Sequence, residues 1–181
     1  MINRNDQRIG VFVDVQNLYY SAKNLYGQKV NFGEVLKTVV GNRKLIRAFA
    51  YVVKAQNVDE QKFFEALGSQ GFEVKMKELQ IFFGGHKKGD WDIGMAMDAI
   101  RLSPKLDAVI LVTGDGDFIP LVEYLRNHGQ YVEAVSFGES TSTLLKAEVD
   151  EFTDLSAKRN KYLMKSSIRR KKIINKSNRP A

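Results

Sequence analysis

Cysteine is absent from this chain of 181 residues, and histidine occurs only twice, at His86 and His128. Disulfides and thiolate catalysis are excluded, and a Cys/His zinc site nearly so. No apolar run approaches the roughly 18 to 20 residues that span a bilayer, and the first eight residues, from Met1 to Arg8, have no signal-peptide core. A soluble, cytoplasmic protein with no membrane partner is expected. Internal repeats and low-complexity segments are missing as well. Chemistry has to come from carboxylates, hydroxyls and amides.

What is present begins with length and charge. A chain of this size with 44% hydrophobic residues suffices for one well-buried domain and is short for two. The net charge of +7 is unevenly placed. From Lys158 onward there are ten Lys or Arg and no acid, leaving 18 basic against 21 acidic residues, a net of −3, for 1–157. The expected organisation is a mildly acidic domain, 1–157, and a basic tail, 158–181, flexible or helical.

Two apolar runs read as strands covered on both faces, Ile9 to Val13 and Val109 to Val112. Each ends in acid: Asp14 after the first, Asp115 and Asp117 after the second. Further strands are expected at Leu45 to Val53, at Phe72 to Glu78 near an edge with one face wet, at Tyr131 to Phe137 and at Glu151 to Leu155. Helices alternate with them, at Leu18 to Leu25, Asn31 to Val40, Asp59 to Leu67, Asp90 to Leu102, Phe118 to His128 and Thr143 to Ala147. Alternation of this kind predicts a three-layer α/β/α sandwich with a mainly parallel central sheet and right-handed connections.

In such sheets ligands gather beyond the carboxyl ends of the strands, where Asp14, Asp115 and Asp117 lie. Asp117 also suits the start of a helix that tolerates Pro120 in its first turn, and Asn17 suits the start of the helix after the first strand. The helix Asp90 to Leu102 reads as apolar nearly all round, hence buried, with Asp90 as its cap. A carboxylate in such a helix is costly unless paired or metal-bound, which singles out Asp92. Asp98, about 120° around the helix from Asp92, can reach the site only at an edge. Ser136 lacks the first glycine of a nucleophile elbow and is dismissed as a nucleophile. The hydroxyls of Gly138 to Thr143 suit capping and phosphate binding equally well.

If the strands ending at Asp14 and Asp115 are neighbours, Asp14, Asp92, Asp115 and Asp117 converge at one mouth of the sheet. Like charges there raise one another's pKa or require a cation. Oxygen donors without nitrogen or sulfur select Mg²⁺ or Mn²⁺, which can orient a water for attack on a phosphodiester. Lys87 and Lys88, in a glycine-rich hairpin tip, and the run Arg169, Arg170, Lys171 and Lys172 are candidate phosphate contacts.

The segments Val11 to Asn17, Lys88 to Asp92 with Asp98, and Thr113 to Phe118, in that order, resemble a LabA-like NYN domain, a branch of the PIN-like nucleases. The resemblance covers Ile9 to Leu155. It implies a PIN-like sandwich and a metal-dependent ribonuclease, with Asp14, Asp92, Asp115 and Asp117 at the acidic metal-binding positions and Asn17 as the polar residue beside them. Thr113 departs mildly, standing where many members have serine and keeping the hydroxyl.

Three functions are therefore weighed. The first is a Mg²⁺- or Mn²⁺-dependent nuclease on RNA, with single-stranded DNA as a second substrate candidate. The second is a non-catalytic RNA-binding or regulatory module that retains the acidic pocket. The third, a phosphatase, is disfavoured because Asp14-Val15-Gln16 lacks a second Asp two residues on. A homo-oligomer is compatible with all three.

Overall fold

A strand without polar residues is satisfied only when helices cover both its faces, and the two central runs lie in that position. The computed structural model describes residues 4–54, 58–78, 80–81, 87–88 and 90–164. In chain order its elements are β1 (Arg8–Asp14), α1 (Val15–Tyr26), α2 (Phe32–Val40), β2 (Lys44–Lys54), α3 (Val58–Ser69) and β3 (Glu73–Glu78). A short antiparallel hairpin, β4 (Gln80–Ile81) and β5 (Lys87–Lys88), precedes α4 (Asp92–Leu102). The chain continues through β6 (Ala108–Val112), α5 (Ile119–Asn127), β7 (Tyr131–Ser136), α6 (Thr143–Glu148), β8 (Glu151–Asp154) and α7 (Arg159–Tyr162).

Six strands form one parallel sheet in the order β3-β2-β1-β6-β7-β8. The chain winds outward from β1 in one direction and from β6 in the other, so these neighbours flank the point where strand order reverses. Doubly wound sheets open a crevice there, beyond the carboxyl ends of the strands. Val13 pairs with Val112, which brings the residues after both strands to the same level.

The two cores follow from strand alternation. Val11, Val13, Ile110 and Val112 face α1, α2, α3 and the segment Tyr162–Leu163. Phe12, Val109 and Leu111 face α4, α5 and α6 through Met95, Ala99, Leu121, Leu125 and Leu145. At β3 the sheet ends in an edge whose burial alternates only weakly, as its charged, alternating sequence implies.

Several local expectations are corrected. The helix after β1 begins at Val15, and its cap is Asp14, whose Oδ1 accepts from the Asn17 N–H at 3.0 Å. Asn17 is thus freed for another task. Asp117 does not cap α5, which starts after Phe118 without a side-chain cap; Asp115 instead caps the 3-10 turn Gly116–Phe118. Asp90 is not the cap of α4, because that position belongs to Trp91, also without a side-chain bond. Nor is α4 buried all round: Ile93 is 78% and Met97 43% exposed, since the helix turns Met95, Ala99 and Leu102 to the sheet, flanked by partly buried Ala96 and Ile100.

The fold also continues past residue 157. Tyr162 and Leu163 are buried, Leu163 bridges Val30, and the Met164 N–H donates to the Lys29 carbonyl at 2.8 Å. No helix among the described residues is long and apolar enough to cross a membrane.

Candidate functional site

Asp14 reaches the crevice because β1 runs without a loop into α1, so one residue both ends the strand and caps the helix. The side chain of Asn17, one turn on, crosses to the neighbouring strand. Its Oδ1 accepts from the Gly114 N–H at 2.9 Å and ties the end of β1 to the end of β6. After β6, buried Thr113 accepts through Oγ1 from the Asp115 N–H at 3.2 Å, and Asp115 Oδ1 accepts from the Asp117 N–H at 3.0 Å. Gly114 is demanded by close approach: a Cβ would stand 3.0 Å from Ser136 Oγ and 3.1 Å from Thr141. The turn is pinned from behind by the Ser142 N–H, which donates to the Gly114 carbonyl at 2.9 Å.

The opposite wall is the start of α4. Trp91 donates from Nε1 to the Val52 carbonyl at 2.8 Å, and its ring folds back over Gly94, where a Cβ would lie only 2.6 Å from it. This packing sets Asp92 on the first helical turn facing the strand ends. Lys77 Nζ donates to the Asp90 carbonyl at 3.1 Å and stands 5.9 Å above the indole.

Asp14, Asn17, Asp92 and Asp115 line one cleft of about 200 Å³, closed by Gln16, Tyr51, Asp90 and Trp91. Asp117 is exposed and outside this lining, at a distance where its charge still acts on Asp92. Asp98 does not join. It accepts from the Tyr51 hydroxyl at 2.9 Å and pairs with Lys75 Nζ at 2.7 Å, so it holds the wall from behind. The side chains of Lys87 and Lys88 and all of Arg169, Arg170, Lys171 and Lys172 lie outside the described residues.

Electrostatics separates Asp14 and Asp92 from ordinary surface carboxylates. Burial pushes the Asp14 carboxyl up to about 6; the Asn17 N–H pulls against this, while the charges of Asp92 and Asp115 add to it. Asp92 is also raised, by burial first and then by Asp90, Asp115 and Asp117. The like charges therefore raise one another, and the Lys77 ammonium offsets this in part at Asp92. Among the described residues, no three Asp, Glu, His or Cys side chains are gathered tightly enough to hold an ion as they stand.

Gln16, Tyr51 and Trp91 were not read from sequence as parts of the cleft. Trp91 had a local signal, as an aromatic between two acids. Tyr51 had none, because only the β1–β2 register, which sets it opposite Asp14, brings it there.

Residues 8–156 match the NYN domain family. The chain is a member of that family. The NYN domain belongs to a nuclease-like superfamily and here spans all six strands of the large sheet. Among curated proteins, the chain is 28% identical over 158 residues to low amplitude and bright protein LabA of Synechococcus elongatus, covering 82% of this chain and 84% of LabA. It is 27% identical over 154 residues to the uncharacterized protein MJ0482 of Methanocaldococcus jannaschii, covering 81% of this chain and 55% of that longer protein. A crystal structure of VPA0982, a protein of unknown function from Vibrio parahaemolyticus, superposes with a TM-score of 0.82 at 31% identity, covering 91% of this chain and all of that one. The NYN assignment and the LabA-like resemblance thus agree with the three sequence segments that suggested them.

Proposed function

We propose that this NYN domain is a divalent-cation-dependent ribonuclease whose centre is the cleft at the β1/β6 switch point. One observation carries the reading. Carboxylates from two strand ends and a helix start line a single cleft, and Asp14 is held there at about 6. Acids kept above their ordinary pKa by burial and by each other occur preferentially at functional sites.

The donors present suit a hard cation. Asp14, Asp92 and Asp115, with Asp117 at the rim, offer only oxygen, and Asn17 adds an amide already engaged with Gly114. These residues would hold Mg²⁺ or Mn²⁺, which when bound supplies neutralising charge for a phosphodiester and supports its hydrolysis. Binding has to draw the carboxylates closer than they stand. The reward is compensation for the burial and the mutual repulsion that raise Asp14 and Asp92. Asn17 ties the two strand ends together, and Trp91, fixed by Val52, forms the far wall. Lys77, beside Asp90 and above Trp91, provides positive charge at the margin for a substrate phosphate.

Labelled RNA incubated with Mg²⁺ or Mn²⁺ tests this. Asp115→Asn is expected to lower cleavage at least about a hundredfold, the loss of several kcal/mol of charge stabilisation, with an unchanged circular dichroism spectrum. Chelation should abolish cleavage by the parent protein. Unaltered cleavage by Asp115→Asn would refute the assignment.

The spacing of the acids supports one other reading, a non-catalytic RNA-binding or regulatory module that retains the pocket. RNA shifted in a gel yet left intact with either ion across a range of pH would select it.

A further inference from the structure

Helix α1 starts at the cleft and leads away from it along the mouth of the sheet. Its far end, Tyr26, packs edge-on against Phe137 just beyond β7, with ring centroids 5.4 Å apart. The Tyr26 hydroxyl is 3.1 Å from both Glu139 and Ser156, again beyond the carboxyl ends of strands. The buried side of α1, through Val15, Leu18 and Ala22, is fully used by the core. Its outward side carries Gln16, Tyr19, Tyr20 and Lys23, all within an arc of about 100°.

That face is neither a capping device nor a packed seam. Tyr20 is 54% exposed, although a tyrosine ring gains most by being covered. Tyr19 meets it edge-on at 5.4 Å, and Lys23 Nζ stands 5.7 Å from the Tyr19 ring. Gln16 at the near end lines the acidic cleft. The stripe from Gln16 to Lys23 therefore covers about 10 Å of helix, with Gln16 at the cleft, the rings about one turn on and the charge farther out.

Positive charge continues beyond the helix. Arg159 on α7 lies 5.5 Å from the Tyr26 ring, and the chain docks at Lys29 through Met164. The sequence that follows, 165–181, holds seven basic residues and no acid. An acidic cleft repels a polyanion, so a nucleic acid has to be held mainly from outside it. Rings for bases and lysine or arginine for phosphates are the usual means of gripping a single strand.

We propose that the outward face of α1 is a stacking track for single-stranded RNA, with bases on Tyr20 and Tyr19 and a phosphate at Lys23, leading the strand into the Asp14 cleft. The choice of RNA as ligand rests on the ribonuclease reading above. The track requires unpaired bases, because those of a duplex already stack on each other.

The test is fluorescence anisotropy with fluorescein-labelled oligouridine at low salt and in EDTA, where affinity is read without cleavage. Tyr20→Ala should weaken binding at least about fivefold, and Tyr20→Phe, which keeps the ring, should restore it. Tyr124→Ala, which removes another exposed tyrosine on α5, should leave affinity unchanged, and duplex RNA should not distinguish Tyr20→Ala from the parent. Equal affinity of Tyr20→Ala and parent for oligouridine, or equal losses from Tyr20→Ala and Tyr20→Phe, would overturn the track. Cleavage of the same oligomer with Mn²⁺, measured in parallel on Asp115→Asn, separates the two claims. Lost cleavage with tyrosine-independent binding condemns the track alone. Tyrosine-dependent binding without any cleavage by the parent condemns the ribonuclease reading alone.

Discussion

The two ends of the parallel sheet treat acidic residues in opposite ways. At the amino-terminal end, Asp107 accepts from the Arg8 N–H at 2.7 Å and from its guanidinium at 2.8 and 3.0 Å. Those bonds hold its carboxyl down at about 2. Nearby, Arg126 spans Glu148 and Asp150 at 2.9 and 3.1 Å, and buried Glu133 is paired with buried Arg43. At the carboxyl end, Asp14 is pushed up to about 6 and Asp92 is raised beside it. The larger cavity, about 510 Å³, lies at the amino-terminal end between Asp107, Arg126 and Asp150. Size does not locate the site. Its acids are answered by arginine, whereas those of the smaller cleft form no ion pair among the described residues and are met by backbone N–H groups and the nearby Lys77 charge, and acid so weakly met is what a cation or substrate can use.

The sharpest way to break this contrast is at its most buried pair. Arg43→Ala leaves enclosed Glu133 with the exposed Arg4 guanidinium, 3.6 Å away, as a weaker partner, and should cost about 3 kcal/mol in urea denaturation. A loss under about 1 kcal/mol would show that the amino-terminal acids are not stabilised by their partners.

Smaller effects should appear in the pH dependence of stability. For Asp14, the folded carboxyl is raised from 3.8 to about 6, so its protonated form favours folding. That contribution is complete below about 4 and is lost as pH rises through about 6. Asp14→Asn removes the burdened charge and should stabilise the domain by about 2 kcal/mol at pH 8, with the gain fading towards pH 4. Asp107 has the opposite sign. Its contribution is present above about 4 and lost as pH falls through about 2, and Asp107→Asn should destabilise at pH 7 by about 1 kcal/mol, since Arg8 stands largely in solvent. Profiles of the same sign for both variants would erase the distinction.

The sequence exposed the contrast only partly. The strands β1 and β6 were legible because unbroken apolar runs admit few other readings, and so was the mouth bearing Asp14 and Asp115. The wet edge at β3 was equally plain from its alternation. Capping was misread wherever two polar residues compete within one turn. Asp14 and Asn17 both suit the start of α1, and only the absence of a loop after β1 gives the cap to Asp14. The outer surface of α4 was misread because periodicity counts apolar side chains without knowing which side meets the sheet, so Ile93 and Met97 looked like core. Tyr51 reaches the cleft through strand register, which is a long-range property. The segment Arg159–Leu163 carries charges typical of a solvated tail, yet Tyr162 and Leu163 bury enough to dock it.

A crystal soaked in Mn²⁺ offers the most direct test, with anomalous scattering locating the ion. A peak among Asp14, Asp92 and Asp115, absent in Asp115→Asn, is the expected result. An empty cleft at millimolar Mn²⁺, or a peak only in the Arg126 cavity at the other end of the sheet, would contradict the claim that the weakly met acids form a cation site.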